Sequence, residues 1–488
     1  MDVKITLTDA AGNISCLTAQ QGESLYEVLS RNGVPVSAPC GGRGRCGKCK
    51  VKLRYSALGE QAQTVLACQT KIEGDCEIDL TADESKILLK GSKLLYDSDG
   101  EDGYAVGVDI GTTTVAAYLL DAKSGKQLSA VSRLNPQRVH GADVISRIGF
   151  AGESAANRKR LQTEIVEMLK EIKAELLQSA DLPQDAHITQ CSLVGNTAMM
   201  HLAGGFDTSG IAKAPYLPEY TALHMQALQG ESYILGGCVS GYVGADTLAA
   251  MLACDLESAQ DNVLLIDIGT NGEIVLKSNG VYSCCSCAAG PEFEGAHIQC
   301  GTGAVNGAVD HLTAKGETFT FTTVGNGEPV GICGSGLVDA VAYLLENDLI
   351  TPLGRMGERF SIAQNVFIDP SDIREVQLAK AAIAAGIEIL ADRAGIELTD
   401  IDRVLLAGGF GNYIDVRSAC VIGLLPQALE EKIIPVGNAA GDGAKMLALS
   451  QRARTLAEEL RKKTKYIELS AQEDFEDIYT DNLIFEID

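Results

Sequence analysis

One short pattern that occurs twice constrains the fold of this 488-residue chain more than any other feature. The first copy, YAVGVDIGTTTVAAYLL, starts at residue 104, and the second, VLLIDIGTNGEIVLKSNG, starts at residue 263. In each copy an apolar strand runs into Asp-x-Gly-Thr and a second apolar strand follows, which predicts a β-hairpin with a tight turn. A single copy is a weak signal because Asp-Gly hairpins are common. Two copies predict a pair of hairpins that face each other across one ligand.

The residue types in these two turns suit a phosphate group. Such turns offer backbone N–H groups and threonine hydroxyls to phosphate oxygens. The aspartate at the end of each first strand can hold Mg²⁺, usually through water, because Mg²⁺ gives up its water reluctantly. We therefore predict that Asp109 and Asp267 are the catalytic residues that hold the Mg²⁺–nucleotide. The predicted nucleotide-binding contacts in the two turns are Gly111, Thr112, Thr113, Gly269 and Thr270.

Further glycine-rich segments extend the predicted nucleotide site. RVLLAGGFGN at 403–412 predicts a strand that runs into a turn at Gly408 and Gly409, against which an adenosine can lie. The sequence VGN occurs at the end of two predicted strands, each time before a helix. GICGSGLVDAVAYLL at 331–345 predicts a helix with a glycine-rich start. That helix start either takes an anion or ribose oxygen or makes a close helix–helix contact.

The N-terminal 80 residues carry a compact cysteine motif. Three metal-ligand candidates, Cys40, Cys46 and Cys49, lie on one glycine-rich loop, and Cys68 arrives from another element. Iron–sulfur clusters need four converging thiolates, and glycine lets the backbone wrap closely around them. The order strand, strand, helix, cysteine loop, strand, strand predicts a β-grasp ferredoxin domain with a [2Fe-2S] cluster over 1–80. A zinc site is the alternative, although zinc sites usually show two CxxC-like pairs.

Charge and hydropathy limit the class of protein. The 40 basic and 65 acidic residues give a formal net charge of −25, which argues against nucleic acid as a partner. No apolar run approaches the roughly eighteen residues of a membrane helix, and MDVKITLTDA does not resemble a signal peptide. We therefore expect a cytoplasmic protein with no membrane partner. Residues 81–103, which become acidic and glycine-rich, are predicted to be a linker.

In their order along the chain these motifs resemble one known family. The hairpins and glycine turns are similar to those of the actin, sugar-kinase and Hsp70 (ASKHA) ATPase superfamily. Within it, the chain resembles the reductive activators of corrinoid proteins, which fuse a [2Fe-2S] ferredoxin domain to this ATPase fold. The segments that carry the resemblance are CGGRGRCGKC, DIGTTT, NPQRVHGADVISRI, DIGTNGEI, AAGPEFEG, GICGSGLVD, DIREVQLAKAAIAAG, LLAGGFGNY and YIELSAQEDF.

The resemblance implies a fold and a task. An α+β ferredoxin domain would precede a two-lobed α/β ATPase domain, with its first lobe at 104–260 and its second at 261–488. The implied enzyme is an ATP-hydrolysing reductase that passes one electron from its cluster to an inactive Co(II) corrinoid protein, giving Co(I) for a cobalamin-dependent methyltransferase system. The implied cofactors are the [2Fe-2S] cluster and Mg-ATP, and the implied partners are a corrinoid protein and an upstream electron donor. Larger members carry a long linker and a middle domain, which we expect to be absent here.

Other functions stay open on the sequence alone. The electron can go to another low-potential metalloenzyme, such as a cluster-bearing dehydratase. Alternatively, the ferredoxin domain can report redox state while the lobes form a non-catalytic, ATP-gated binding module. A small-molecule kinase would leave the ferredoxin domain unexplained. Glu273 and Glu294 are candidates for positioning water, although such carboxylates are more often structural.

The other cysteines are interpreted as structural. Cys16 and Cys76 fall on predicted strands outside the glycine-rich loop, so we expect both to be buried as small apolar residues. The CCxC segment at 284–287 and Cys300 look like a second metal site, but the segment lacks loop glycines. We therefore predict a structural role for this group.

Overall fold

The computed structural model describes residues 2–8, 14–32, 34, 49–55, 62–79, 97–141, 143–269, 271–315, 318–411 and 413–485. Of the predicted site residues, Cys40, Cys46 and Thr270 lie outside these ranges, as does most of the predicted linker, of which only 97–103 are described.

The described residues of the N-terminal unit form five strands and one α-helix: β1 (Asp2–Thr8), β2 (Ile14–Gln20), α1 (Leu25–Arg31), β3 (Lys50–Tyr55), β4 (Gln63–Leu66) and β5 (Cys76–Asp79). The sheet order is β2-β1-β5-β3-β4, with β5 parallel to β1 and the other pairs antiparallel. Alternate residues of β1, including Ile5, are buried in one core with Leu25 and Leu29 of α1. The predicted β-grasp ferredoxin fold is confirmed.

The two structural cysteines of this unit differ in burial. Cys76 is buried, as predicted. Cys16 is exposed, so that expectation was wrong. Side chains alternate along a strand, and in β2 Ala19 lies on the buried face whereas Cys16 lies on the outer one.

Ten elements form the first half of the remaining chain: β6 (Tyr104–Ile110), β7 (Thr114–Asp121), β8 (Gln127–Leu134), α2 (Val144–Glu153), α3 (Ala155–Ser179), β9 (Ile188–Gly195), α4 (Thr197–Gly204), β10 (His224–Leu228), β11 (Glu231–Leu235) and α5 (Ala245–Ala253). Their sheet has the order β10-β11-β9-β6-β7-β8. β6, β7 and β8 are antiparallel neighbours, whereas β9 runs parallel to β6 and β11 parallel to β9. Apolar residues recur at helical spacing along α3, and they are buried: Leu161, Ile165, Met168, Ile172 and Leu176.

The second half contains β12 (Val263–Ile268), β13 (Gly272–Ser278), β14 (Val281–Cys287), β15 (Ala308–Lys315), β16 (Thr318–Thr323), β17 (Gly331–Ile332), α6 (Gly334–Glu346), β18 (Phe360–Ala363), β19 (Val366–Ile368), α7 (Pro370–Ala394), β20 (Arg403–Ala407), α8 (Val416–Val421), β21 (Ile433–Gly437), α9 (Ala439–Leu449), α10 (Gln451–Lys463), β22 (Thr464–Tyr466) and α11 (Phe475–Asp481). Its large sheet has the order β21-β20-β12-β13-β14-β22. β16-β15-β17 and β18-β19 form two small sheets.

The two large sheets repeat one connection pattern. β12, β13 and β14 are antiparallel neighbours, β20 runs parallel to β12, and β21 runs parallel to β20. The strands β6, β7, β8, β9 and β11 have these same relations in the first half. The hairpins predicted from the repeated motif are β6–β7 and β12–β13, and they occupy equivalent places in the two sheets.

The halves share a core. Val263 and Leu265 of β12 belong to the same buried cluster as Val108 of β6, whereas their neighbour Leu264 faces the core on the other side of the second sheet. α9, which belongs to the second half, lies directly on β6. A Cβ at Gly107 would be 2.7 Å from the backbone nitrogen of Lys445, so only glycine permits this approach. Of the described helices, none has the length and hydropathy to cross a membrane.

Candidate functional site

The two predicted catalytic aspartates occupy equivalent positions. Asp109 is the next-to-last residue of β6 and lies beside Val194 of the parallel strand β9. Asp267 is the next-to-last residue of β12 and lies beside Ala407 of the parallel strand β20. The two carboxylates are close enough for the charge of Asp267 to raise the pKa of Asp109. The structure therefore brings these two predicted residues together at one partly solvent-exposed site between the ends of β6 and β12, here termed the cleft.

Two further carboxylates share the cleft. They come from Asp246, in the first turn of α5, and Glu273, which pairs with Asp267 across β12 and β13. Burial, followed by the charge of Asp246, raises the pKa of both Asp109 and Asp267 from 3.8 to about 7. Burial is also the main cause that raises the pKa values of Asp246 and Glu273. All four side chains keep some solvent contact. A cation would relieve both the desolvation and the mutual repulsion, so the donor set fits Mg²⁺.

The repeated VGN turns place two asparagines in the site. Asn438 caps α9 and donates from Nδ2 to Asp109 Oδ2 at 3.1 Å and to the Tyr118 hydroxyl at 3.2 Å. Asn196 caps α4 and donates from Nδ2 to Thr112 Oγ1 at 3.0 Å. Each asparagine thus orients one predicted nucleotide-binding side chain. The repeat is visible in the sequence, but these contacts of the two asparagines are not.

Hydrogen bonds to its backbone carbonyl groups fix the first hairpin turn. Asn135 donates from Nδ2 to the Gly111 carbonyl at 2.8 Å and from its backbone N–H to the Thr113 carbonyl at 2.9 Å. Arg147 donates to the Thr112 carbonyl at 2.5 Å. The guanidinium is fully buried, which lowers the pKa of Arg147 to about 10. Asn135 and Arg147 both belong to the segment NPQRVHGADVISRI, which therefore fixes the conformation of this turn.

The two candidate water-positioning residues lie in different surroundings. Glu273 belongs to the carboxylate cluster beside Asp267. Glu294 ends a short 3₁₀ turn, Glu292–Glu294, and accepts a 3.0 Å hydrogen bond from Thr113 Oγ1. That contact joins the first hairpin to the second half of the domain.

The predicted adenosine turn lies beside Asp267. Gly408 has a φ of +96°, and a Cβ there would be 2.5 Å from Asp267 Oδ1, so both its backbone conformation and its packing require glycine. Gly409 is exposed, and a Cβ there would meet only open space. In the second hairpin turn Gly269 donates to the Asn271 carbonyl at 2.9 Å.

The glycines at the start of α6 make packing contacts. A Cβ at Gly334 would overlap the Phe293 carbonyl and lie 2.7 Å from the Phe410 ring. Those two aromatic rings stack with centroids 4.9 Å apart. A Cβ at Gly336 would overlap the Val309 carbonyl. Close packing therefore explains these glycines without an anion.

Two of the four predicted cluster ligands are described. The sulfurs of Cys49 and Cys68 are 3.1 Å apart, farther than the roughly 2.0 Å of a disulfide. The Cys68 backbone N–H points to the Cys49 sulfur at 3.4 Å. Cys49 is buried and Cys68 is half-buried. Two converging thiols, one of them accepting a backbone hydrogen bond, fit an iron–sulfur site.

The CCxC segment lies on β14, where its three cysteines are buried. Cys285 and Cys287 face one side of the sheet, against Gly386 of α7, and Cys284 faces the other. Cys300 contacts the Asn365 carbonyl through its sulfur at 3.5 Å. The three cysteines of β14 lie in the core and the partly buried Cys300 packs against it, which agrees with the structural role predicted for them.

Three family profiles match the chain in order. A 2Fe-2S iron-sulfur cluster binding domain matches residues 11–73, the RACo middle region matches 104–259, and the C-terminal domain of RACo, described as the ASKHA domain, matches 261–487. The chain belongs to the family of reductive activators of corrinoid proteins. The family resemblance and the ferredoxin domain predicted from the sequence are confirmed.

Similar proteins support membership in the activator family. The corrinoid activation enzyme RamQ of Eubacterium limosum is 29% identical, over 96% of this chain and 97% of the relative. The [Co(II) methylated amine-specific corrinoid protein] reductase of Methanosarcina barkeri is 25% identical, over 77% of this chain and 76% of the relative. A solved reductive activator for corrinoid, iron-sulfur protein superposes with a TM-score of 0.71 at 27% identity, covering 99% of this chain and 98% of that one.

One expectation about the family was wrong. The middle region, predicted to be absent, matches residues 104–259 of this activator. These residues were assigned to the first lobe at 104–260, and they form the β6–β11 sheet with its helices. The middle region is therefore the first half of the domain, and it does not need extra residues between the ferredoxin domain and that sheet.

Proposed function

We propose that this activator is an ATP-dependent one-electron reductase that converts the Co(II) form of a corrinoid protein to Co(I) for a cobalamin-dependent methyltransferase system. One observation carries the proposal: the same chain contains an iron–sulfur domain at 11–73 and a carboxylate-lined cleft between the two equivalent hairpins β6–β7 and β12–β13. Two relatives, one named for corrinoid activation and one for reducing a Co(II) corrinoid protein, support the choice of acceptor. An upstream electron donor and a cytoplasmic location belong to the same proposal.

The electron-transfer half uses the four predicted cysteines. Cys40, Cys46, Cys49 and Cys68 would hold the [2Fe-2S] cluster, which supplies one electron at a time when bound. The Cys68 N–H that points to the Cys49 sulfur stabilises negative charge on that sulfur. Hydrogen bonds to sulfur are one of the means by which a protein sets the reduction potential of such a site.

The nucleotide half uses the cleft. Asp109 and Asp267 would hold Mg²⁺ through water, and the turn residues Gly111–Thr113 and Gly269–Thr270 would contact the phosphates. Gly408 and Gly409 would face the adenosine. Asn438 keeps the Asp109 carboxylate in place through its 3.1 Å hydrogen bond.

The contact between Thr113 and Glu294 suggests how nucleotide binding changes the protein. The Thr113 hydroxyl donates to Glu294 at 3.0 Å, and a hydroxyl has one proton to donate. A phosphate oxygen bound at the first turn would compete with Glu294 for that proton. Mg-ATP binding would then exchange a contact between the halves for a contact with the ligand. Such an exchange can couple ATP binding to electron transfer. A ligand shifts the equilibrium between two conformations only when it interacts differently with each of them.

The test is an anaerobic reduction assay with a corrinoid protein encoded near this gene. Co(I) formation, followed by its visible absorption, should require a chemical reductant, Mg-ATP and the intact activator. Cys68→Ser should abolish it through the cluster, and Asp267→Asn should abolish it through the nucleotide. Asp102→Asn is the matched control, because the Asp102 side chain is 88% exposed and pairs with a surface lysine, Lys123.

Two outcomes would count against the proposed reaction. Co(I) formation at the same rate without Mg-ATP would mean that electron transfer does not require nucleotide binding in the cleft. No reduction of any corrinoid protein, together with ATP-dependent reduction of a cluster-bearing dehydratase, would move the function to another low-potential acceptor.

A further inference from the structure

A group of side chains outside the nucleotide cleft has the composition of a metal site. Glu292 lies in the 3₁₀ turn after β14, His297 follows in the next loop, and Glu375 lies on α7. One ligand atom from each residue lies within 4.8 Å of the other two. His297 Nδ1 is 3.1 Å from Glu292 Oε1. Three residues from two separate parts of the chain therefore converge on one point.

The Glu292 carboxylate is the independent sign that a ligand belongs there. Its residue is only 7% exposed, and its Oε2 atom is buried with no hydrogen-bond partner among the described residues. A Cβ at Gly290 would overlap that carboxylate, so the loop is built closely around it. A buried carboxylate oxygen without a partner is costly, and a coordinated cation would remove that cost.

The surrounding charge also favours a cation. Burial raises the pKa of Glu292, hydrogen bonds to its own backbone N–H and to His297 oppose this, and the charge of Glu375 raises the pKa further. Two carboxylates therefore repel each other across one imidazole. The His297 side chain is 62% exposed, so an ion can enter from solvent.

We propose that Glu292, His297 and Glu375 form a binding site for one divalent transition-metal ion. An imidazole and two carboxylates suit Zn²⁺ or Mn²⁺ better than Mg²⁺, which prefers oxygen ligands alone. Ligand distances of about 2.0–2.2 Å require donor atoms no more than roughly 4.4 Å apart. The half-exposed Glu375 side chain has the freedom to close the remaining few tenths of an ångström.

The site would fasten a loop to a helix. Glu294, which accepts the hydrogen bond from Thr113, lies two residues after Glu292 on the segment that the ion would tie to α7. This inference does not depend on the proposed reaction, because it concerns residues outside the cleft and needs no electron acceptor.

The test uses Mn²⁺ as the probe on the cluster-loaded protein, with the cluster oxidised and excess Mg²⁺ present to occupy oxygen-only sites. Wild-type protein should bind one Mn²⁺ that shows nitrogen hyperfine modulation in pulsed EPR, the signature of an imidazole ligand. His297→Asn should lose that modulation and one equivalent of bound Mn²⁺. Asparagine suits the left-handed backbone at this position, where φ is +59°, so the variant should fold.

Two more variants complete the design. Glu375→Gln should also lose the ion while its imidazole stays in place. The control is His187→Asn, because His187 is another exposed histidine and is not part of this group. Wild-type protein that binds no nitrogen-coupled Mn²⁺ would overturn the site, as would equal binding by wild type, His297→Asn and Glu375→Gln.

Discussion

Replacing Asp267 by asparagine should make the nucleotide-free protein more stable and its nucleotide site inactive. Asparagine has nearly the same shape but carries no charge. The pKa of Asp267 is raised from 3.8 to about 7 by burial and by Asp246. A carboxyl group with a raised pKa in the folded state destabilises that state once it ionises, so the stability contributed by Asp267 falls as pH rises from about 4 through about 7. Asparagine does not ionise, so the variant does not lose stability over this pH range.

The size of the effect follows from the pKa. Three decades of proton affinity correspond to about 4 kcal/mol when the group is fully ionised. Solvent contact at the cleft reduces this, so we expect the variant to gain about 2 kcal/mol at pH 8 and close to nothing near pH 4. Mg-ATP binding should be lost in the same variant, because asparagine has no carboxylate to hold the Mg²⁺.

The assay is denaturant unfolding of both proteins without Mg²⁺ or nucleotide at pH 5 and pH 8, beside calorimetric titration with Mg-ATP. Asp102→Asn controls for removing one acidic group from the surface. The reasoning would be refuted by a variant less stable than wild type at pH 8, by a gain of equal size at both pH values, or by unchanged Mg-ATP binding.

Three other predictions concern the rest of the molecule. Cys68→Ser should lower bound iron and acid-labile sulfide while Mg-ATP binding stays unchanged. Lys445→Met should destabilise the protein by about 3–5 kcal/mol in denaturant unfolding, because the buried Lys445 Nζ lies 2.5 Å from Asp442 and the substitution removes this buried ion pair. Thr113→Val should weaken Mg-ATP binding about tenfold by calorimetry, whereas Glu294→Ala should not weaken it, because Glu294 competes for the same hydroxyl.

These three predictions have matched controls. Cys16→Ser changes an exposed cysteine of the ferredoxin domain and should keep the cluster. Lys123→Met removes a surface lysine and should change stability by less than about 0.5 kcal/mol. Full iron content in Cys68→Ser, wild-type stability in Lys445→Met, or equal weakening by both Thr113→Val and Glu294→Ala would each contradict the corresponding argument.

The parts of the site that sequence could predict are local. Asp109 and Asp267 are recognisable because strand, aspartate, glycine and threonine are contiguous, and the repeat makes chance unlikely. The cysteine loop is recognisable for the same reason. In each case the residues that act together are neighbours in the chain, so the pattern itself describes the structure.

The parts that sequence missed depend on long-range packing. Asp246 is a single aspartate in the first turn of a helix, and only the placement of α5 brings it to the two hairpins. Arg147 has the sequence signature of a surface arginine, and its role follows from complete burial against the Thr112 carbonyl. Asn438 lies in a repeated VGN turn that could have been a signal. Its partner Asp109 is 329 positions away, so no local pattern predicts the contact.

The placement of α9 on β6 has a consequence for how this protein can be divided. The boundary between the matched family regions falls at residues 259–261, where the chain could be split into two separately expressed fragments. The core crosses that boundary, because Val263 and Leu265 belong to one buried cluster with Val108, and Gly443 of α9 lies against the Ala249 carbonyl of α5. Either fragment alone would expose apolar surface and should aggregate. Co-expressed fragments should instead reassemble and unfold in one cooperative transition, so the two halves behave as a single folding unit.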